Sequence, residues 1–561
     1  SSQVSGKQSV GILGGLFLAL LMVSDPYIDI YEFQKHSNRG AKSVLDQTGQ
    51  TEFGTDWNYA TQWSFHPKET ISFIFPYHYG LQNYSTRDLK SAAYWGFMPF
   101  TQSTHYLGLV AIIFAILGAL LRKPDKVEWF FWVTTILALV TGFGSFFPIL
   151  FKPFYSILPL FSKFRIPSMI YVLLAITLPF LAAKGLDSFL QTGDKKSSFK
   201  KGVLVIGGLI GLTIFLIIGG EYFLEFSSPK DGRFNPSVIS QLKVERIDLF
   251  QKGLRLALGI GLCTLGLLWG FINKAINKTV FSSLLIGLVV LDLWIVNMEF
   301  LNLKPARNMD LMFQDNPVVS FLKNDEDHFR IFPADELASN KFSYWNLESI
   351  GGYRPIKLRN YQDLMDAKGF SRPHILDMLN VKYVLTRKKI NNPNFSPVKD
   401  VPGIYKNKNV LPKAWIVGNV RSVETQRESL METLLNGFDP TNSAIVVQYK
   451  GEPIPENAIG TVIVKSKTEN KIELISKSET GGLLVLSEIY YKPGWKAFVN
   501  GEETPIYQTN HILRSIKIPP TESDILFKYD DSSWKQTRIL SRVSFLAILL
   551  GLGFIFWREK K

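Results

Sequence analysis

Eight stretches of the chain are apolar almost without interruption, and each is closed by polar or charged residues. They run over 10–23, 105–121, 127–149, 168–186, 202–223, 254–272, 280–300 and 539–557. Most approach the roughly 20 residues that carry an α-helix across about 30 Å of hydrocarbon, so the pattern predicts about eight membrane helices. The run over 10–23 is the shortest. A different rhythm follows residue 413, where apolar and polar positions alternate over 445–449, 460–467, 471–476, 483–489, 495–499, 512–518 and 524–529. Seven short period-two runs separated by turn residues predict a β-sandwich. Asn500-Gly501 predicts a two-residue hairpin, because a type I′ turn needs positive φ at both central positions. Trp495 alternates with Ala497 and Val499, which points its ring into the sandwich core.

The region between the two patterns is mixed. Asn316-Pro317 opens a short capped helix over 316–323, 361–367 and 373–379 read as helices, and 329–333 and 381–386 as strands. The expected architecture is therefore a membrane α-helical bundle, 1–300, with one long outer connection over 24–104. A mixed α/β segment, 301–412, a β-sandwich, 413–535, and a last helix with a basic tail, 536–561, follow it.

Charge gives the bundle a direction. Arg122-Lys123, Lys195-Lys196 with Lys200-Lys201, Lys274 with Lys278, and Arg558 with Lys560-Lys561 all sit at ends of apolar runs. Segments assigned to the inner side, taken with Lys184, carry 14 basic and 4 acidic residues; the outer connections 24–103 and 221–252 carry 6 against 8 and 5 against 5. Positive residues mark the cytosolic side, and eight crossings alternate without a violation. The expectation is a multi-pass protein of the cytoplasmic (inner) membrane with 301–538 outside the cell. The net charge of +14 changes meaning once it is divided, since 299–535 holds 31 basic and 29 acidic residues. The excess lies in the membrane part, beside anionic lipid head groups, and argues against nucleic acid as a partner. Cys263 is the single cysteine, so no internal disulfide can form.

Short motifs then recur in a familiar order: Trp63-Ser64-Phe65-His66-Pro67-Lys68-Glu69, Phe75-Pro76-Tyr77-His78-Tyr79-Gly80, Tyr94-Trp95-Gly96, Tyr106-Leu107-Gly108, Phe164-Arg165-Ile166-Pro167-Ser168, Gly351-Gly352-Tyr353 and Tyr490-Tyr491-Lys492-Pro493-Gly494-Trp495-Lys496. Each alone is weak. Together they resemble the YfhO family of bacterial membrane proteins, over essentially the whole chain. The resemblance implies an architecture similar to GT-C glycosyltransferases, a polyprenyl-phosphate sugar donor and a cell-envelope glycopolymer acceptor. It also implies that further helices, with the loop bearing the family's catalytic Asp, precede the region matched here. No residue of this chain is carried over as catalytic, although Asp25 and Asp29 lie in its first connection.

Sugar transfer from a lipid phosphate needs a carboxylate for the acceptor hydroxyl and cations for the leaving phosphate, at the outer membrane face. Arg165 precedes a helix expected from Pro167 and offers a guanidinium fork to phosphate; the alternative is an interfacial arginine held among lipid heads. Lys163 and Lys152 are its weaker companions. His66 and Glu69, three apart, would share a helix face if Pro67 starts a helix, as an acid–base pair, half a metal site, or a shaped loop. No cofactor is expected: a divalent metal would need three or four ligands, and only His78 and His105 offer themselves besides. Asp292 lies within the run 280–300, where ionisable groups usually face a partner inside the bundle. It makes either a structural hydrogen bond or part of a carrier groove or proton path. Tyr353, Trp345, Tyr490 and Tyr491 are candidates to stack on sugar rings, although cores and membrane rims use the same residue types.

The expected function is a part of a polyprenyl-phosphate-sugar-dependent glycosyltransferase modifying cell-envelope polymers. The alternative is a non-catalytic envelope protein that binds glycan or a partner enzyme through its β-domain. A transporter is disfavoured, because only Asp292 lies deep in a span and no pair of Gly/Pro-broken helices marks a midplane site.

Overall fold

The computed structural model describes residues 6–46, 57–81, 92–99, 105–158, 161–301, 303, 305–306, 310–311 and 313–560. Two compact units divide the chain, Thr55–Pro305 on one hand and Ala306–Lys561 with Ser1–Gly54 on the other.

The first unit is helical. Among the described residues five helices are long and apolar enough to cross a membrane, and four are here: Pro167–Gln191, Lys195–Phe223, Pro236–Ile272 and Lys278–Met298. The fifth, Ser532–Glu559, belongs to the second unit, and only 6% of its most apolar window is buried, as a lipid-facing helix requires. The protein is therefore a multi-pass membrane protein. All eight apolar runs lie on helices, but not all reach spanning length. The run 105–121 narrows to the 13-residue helix Leu109–Leu121, about 20 Å at 1.5 Å per residue, because Gly108 at φ 89° keeps the preceding residues out of the helix. The run 127–149 gives the 17-residue helix Lys126–Gly142. Its start is fixed by a capping box in which the Asp125 carboxylate accepts from Glu128 N and the Glu128 carboxylate from Asp125 N, both at 2.8 Å. The run 10–23 lies on the helix Gly6–Met22, and the chain then bends by 68° into a second helix, Ser24–Gln34.

Pro236–Ile272 extends well ahead of the run 254–272, because Pro236 starts the helix in polar sequence. Leu109–Leu121 and Leu174–Gln191 cross at Gly118 and Gly185, where a Cβ on Gly185 would stand 1.9 Å from Phe114 O.

In the second unit, three sheets carry fifteen strands among the described residues. The mixed segment holds β1 (Arg330–Pro333), β2 (Val381–Leu385), β3 (Phe395–Pro397) and β4 (Ile404–Asn407) in the order β1-β2-β4-β3. Beyond them lie β5 (Ala414–Val417), β6 (Asn419–Val423), β7 (Ser443–Val447), β8 (Gly460–Lys467), β9 (Lys471–Ser478) and β10 (Gly482–Leu486). The last five are β11 (Trp495–Val499), β12 (Glu502–Thr504), β13 (Tyr507–Thr509), β14 (Leu513–Ile518) and β15 (Glu522–Tyr529). They form a six-stranded sheet, β5-β10-β14-β13-β7-β6, and a five-stranded sheet, β12-β11-β15-β9-β8. Alternate residues meet between these sheets: Ile416, Leu484 and Ile516 of the first pack with Leu474, Ala497 and Phe527 of the second.

The six-stranded sheet also buries its far face, where Trp415, Leu483 and Val485 meet Leu364, Ile375 and Leu430 from helices Arg359–Asp366, Pro373–Met378 and Gln426–Thr433. That explains why Gly482–Leu486 is buried at every position and reads as a continuous apolar run. Strands β6 and β7 are parallel, and helix Gln426–Thr433, capped by Thr425, supplies the crossover that parallel pairing needs. At Asn500-Gly501 both φ values are positive, 51° and 87°, and Val499 pairs with Glu502 as a two-residue hairpin demands. Trp495 packs at the edge of the inter-sheet core.

Candidate functional site

The connections of the helical unit fold around Glu69. Pro67 opens the short 3₁₀ helix Pro67–Phe73, and His66 caps it by accepting from Lys68 N through Nδ1 at 3.1 Å. Glu69 is fully buried. The Tyr94 hydroxyl donates to its carboxylate, 3.0 Å from each oxygen, and Phe97 N donates to Oε1 at 2.6 Å. The Lys230 ammonium bonds Met98 O and lies 5.4 Å from the centre of the Tyr94 ring. Burial pushes the Glu69 carboxyl up to about 7, although the Phe97 and Tyr94 hydrogen bonds and the Lys230 charge pull the other way.

His66 does not share a helix face with Glu69. Its backbone is extended, at φ −73° and ψ 133°, so helical spacing does not apply to it. Its ring stacks on Phe97 at 3.6 Å and meets Phe146 edge-on at 4.7 Å. His78 and His105 are held in separate aromatic nests, with Trp95 and Phe250 around the first and Phe65 and Tyr171 around the second. Among the described residues no group of three or more His, Cys, Asp or Glu is gathered to hold a metal.

Arg165 stands just before the 3₁₀ turn Pro167–Leu173, which leads into the membrane helix. Its guanidinium lies 4.1 Å from the Tyr59 ring centre and 4.5 Å from that of Trp63. It donates to the Tyr59 hydroxyl at 3.2 Å and to Gln62 Oε1, while Nε is buried with no partner among the described residues. Ile166 beside it sits at φ 68°, a strained conformation for a β-branched residue. Lys163 is half-buried, with an ammonium whose pKa burial lowers; Lys152 is exposed on helix Pro148–Ile157.

Asp292 is fully buried on helix Lys278–Met298. It accepts from the Tyr106 hydroxyl, from Leu109 N at 2.8 Å and from Val110 N at 3.4 Å. Of the two readings open for it, this geometry is the structural one: Asp292 caps the helix Leu109–Leu121 from a neighbour. A second buried charge escaped the sequence. Arg246, 1% exposed, pairs with Asp231 through two hydrogen bonds of 2.7 and 2.8 Å and also donates to Ala93 O and Phe226 O.

In the second unit the aromatic candidates part company. Tyr353 is exposed and lines an apolar cavity of about 530 Å³ with Phe33, Ile356, Tyr361 and Met365. Trp345 is buried at 6% exposure, its ring packed with Phe342, Tyr383 and Ile404. It fills a core and presents no face to a sugar, which corrects the expectation for that residue. Tyr490 and Tyr491 are half-buried. Asn360 Nδ2 donates to Tyr490 O at 3.1 Å, and the Tyr491 ring packs against Phe33 and His36.

No family model, curated protein or solved structure matches this chain.

Proposed function

We propose that this protein is part of a polyprenyl-phosphate-sugar-dependent glycosyltransferase of YfhO-like, GT-C-like architecture, modifying cell-envelope polymers at the outer face of the cytoplasmic membrane. In this reading the eight apolar runs are eight crossings, and 301–538 is extracytoplasmic. What supports it is Arg165: a guanidinium stacked between two aromatic rings at the head of a membrane helix, with Nε–H unused by any described residue. A donor fixed in this way loses little freedom on meeting a phosphate. No carboxylate of this chain is assigned as the base. Arg165→Ala, assayed in membranes for sugar transfer from a polyprenyl-phosphate donor, should abolish turnover while thermal unfolding stays close to wild type. Wild-type turnover in that variant refutes the assignment.

The non-catalytic reading, a glycan-binding envelope protein, is favoured by a different observation, the cavity of about 530 Å³ beside the exposed Tyr353. Saturable binding of envelope polysaccharide by a preparation that carries out no transfer would select it.

A further inference from the structure

Where the mixed sheet meets the sandwich, the second unit gathers three buried cations, Arg330, Lys413 and Arg514, and a half-buried one, Lys467. Arg330 opens β1, Lys413 precedes β5, Lys467 closes β8 and Arg514 lies within β14. Two carboxylates answer them. Glu488 takes Lys413 at 2.6 Å and Arg330 at 3.0 Å; Glu348 takes Lys467 and stands 3.5 Å from both Arg330 and Lys413. The surrounding cations hold the Glu488 carboxyl well below the usual carboxylate range despite its burial.

Among the described residues Arg514 has no carboxylate at ion-pair distance, and Glu488 attracts it only from further off. It is 5% exposed, donates from Nε to Ile489 O at 3.0 Å and lies 4.0 Å from the centre of the Trp495 ring. Its Nη1 is buried with no hydrogen-bond partner among the described residues. A cavity of about 370 Å³ opens in front of it, lined also by Arg330, Lys467 and His328, by their partners Glu348 and Glu488, and by Glu469, exposed on its rim. A buried guanidinium nitrogen left without an acceptor is costly unless something completes it.

We propose that this cavity binds an oxyanion, a carboxylate or phosphate, carried on a polar body of about monosaccharide size. The volume corresponds to roughly a dozen waters at ~30 Å³ each. An oxyanion at its floor would accept from Nη1 of Arg514 and supply the negative charge that this guanidinium lacks at ion-pair distance. The cavity beside Tyr353 is lined by Arg330, Arg354 and Lys357, but none of these carries a buried side-chain nitrogen without a hydrogen-bond partner among the described residues. The inference holds whichever reading of the protein's function is right, since it needs no transfer reaction.

The test uses the full chain in detergent and titrates glucuronate, glucose 1-phosphate and, as the neutral control, glucose. At least one charged sugar should bind saturably, and the one that does identifies carboxylate or phosphate as the group recognised. Glucose should bind at least tenfold more weakly. Arg514→Gln should weaken the charged sugar about tenfold or more, the loss of one charge-assisted hydrogen bond. Lys467→Gln, at the more open side, should weaken it in the same direction with unfolding unchanged, and decides the matter if the first variant misfolds. Glucose binding equal to the charged sugars, no binding of either charged sugar, or wild-type affinity in Lys467→Gln overturns the proposal.

Discussion

Glu69→Gln should flatten the pH dependence of the protein's stability. The Glu69 carboxyl is raised from an ordinary 4.5 to about 7 in the fold, so folding takes up a proton between those two values. Stability from this group is full below pH 4.5, falls as pH rises through the interval, and is lost above about 7. At 1.36 kcal/mol per unit, that loss is about 3 kcal/mol. No discount for solvent applies, because Glu69 is fully buried. For a domain of a few hundred residues, roughly 2–4 °C accompanies each kcal/mol, so unfolding should drop by about 6–12 °C between pH 4.5 and 8 on this account alone. Glutamine keeps an oxygen to accept from the Tyr94 hydroxyl and Phe97 N but cannot ionise. Thermal unfolding of both proteins in one detergent, across that pH range, isolates the term as the difference between two curves, since every other group titrates in both. Parallel curves would refute the claim that this carboxylate is desolvated.

Two further perturbations test the packing of the helical unit. Gly185→Ala sets a methyl group against Phe114 O, where 1.9 Å is available, and should lower stability by about 1–3 kcal/mol through overpacking. Gly208→Ala, with nothing within 4 Å of its added Cβ, is the control and should unfold like wild type. Asp231→Asn leaves the Arg246 guanidinium buried and uncompensated; a loss of about 3–5 kcal/mol is expected in thermal or denaturant unfolding. A loss under 1 kcal/mol would mean that water reaches the pair.

The sequence revealed elements whose cause is local. Apolar runs became helices because each of their residues faces lipid or a neighbouring helix, and the Asn500-Gly501 turn formed because its φ requirement is written in two adjacent residues. Trp495 followed from alternation with Ala497 and Val499. Strands β5, β12 and β13 were invisible by the same measure, since three or four residues are too few to display a period, and β6, as long as β7 and β11, is polar and mostly exposed. Helix Gln426–Thr433 did carry a signal, the capping pair of Thr425 and Glu428, which the surrounding strand rhythm masked.

The candidate sites divide along the same line, and the division explains which residues escaped. Asp292 was legible as needing a partner, because an acid among leucines has few alternatives, yet nothing in the chain said that the partner would be the start of a helix some 180 residues earlier. His66 and Glu69 were joined by a spacing that only a helix gives meaning to, and the helix begins one residue too late. Arg330, Lys413, Lys467 and Arg514 stand far apart in a segment whose charges nearly cancel, so neither composition nor spacing could single them out. Their cluster exists only because strand pairing brings β1, the approach to β5, the end of β8 and the middle of β14 to one place. A charge balance taken over a segment of sequence therefore says little about how those charges gather within it. Binding by Arg514 is the measurement in which that distinction can be seen.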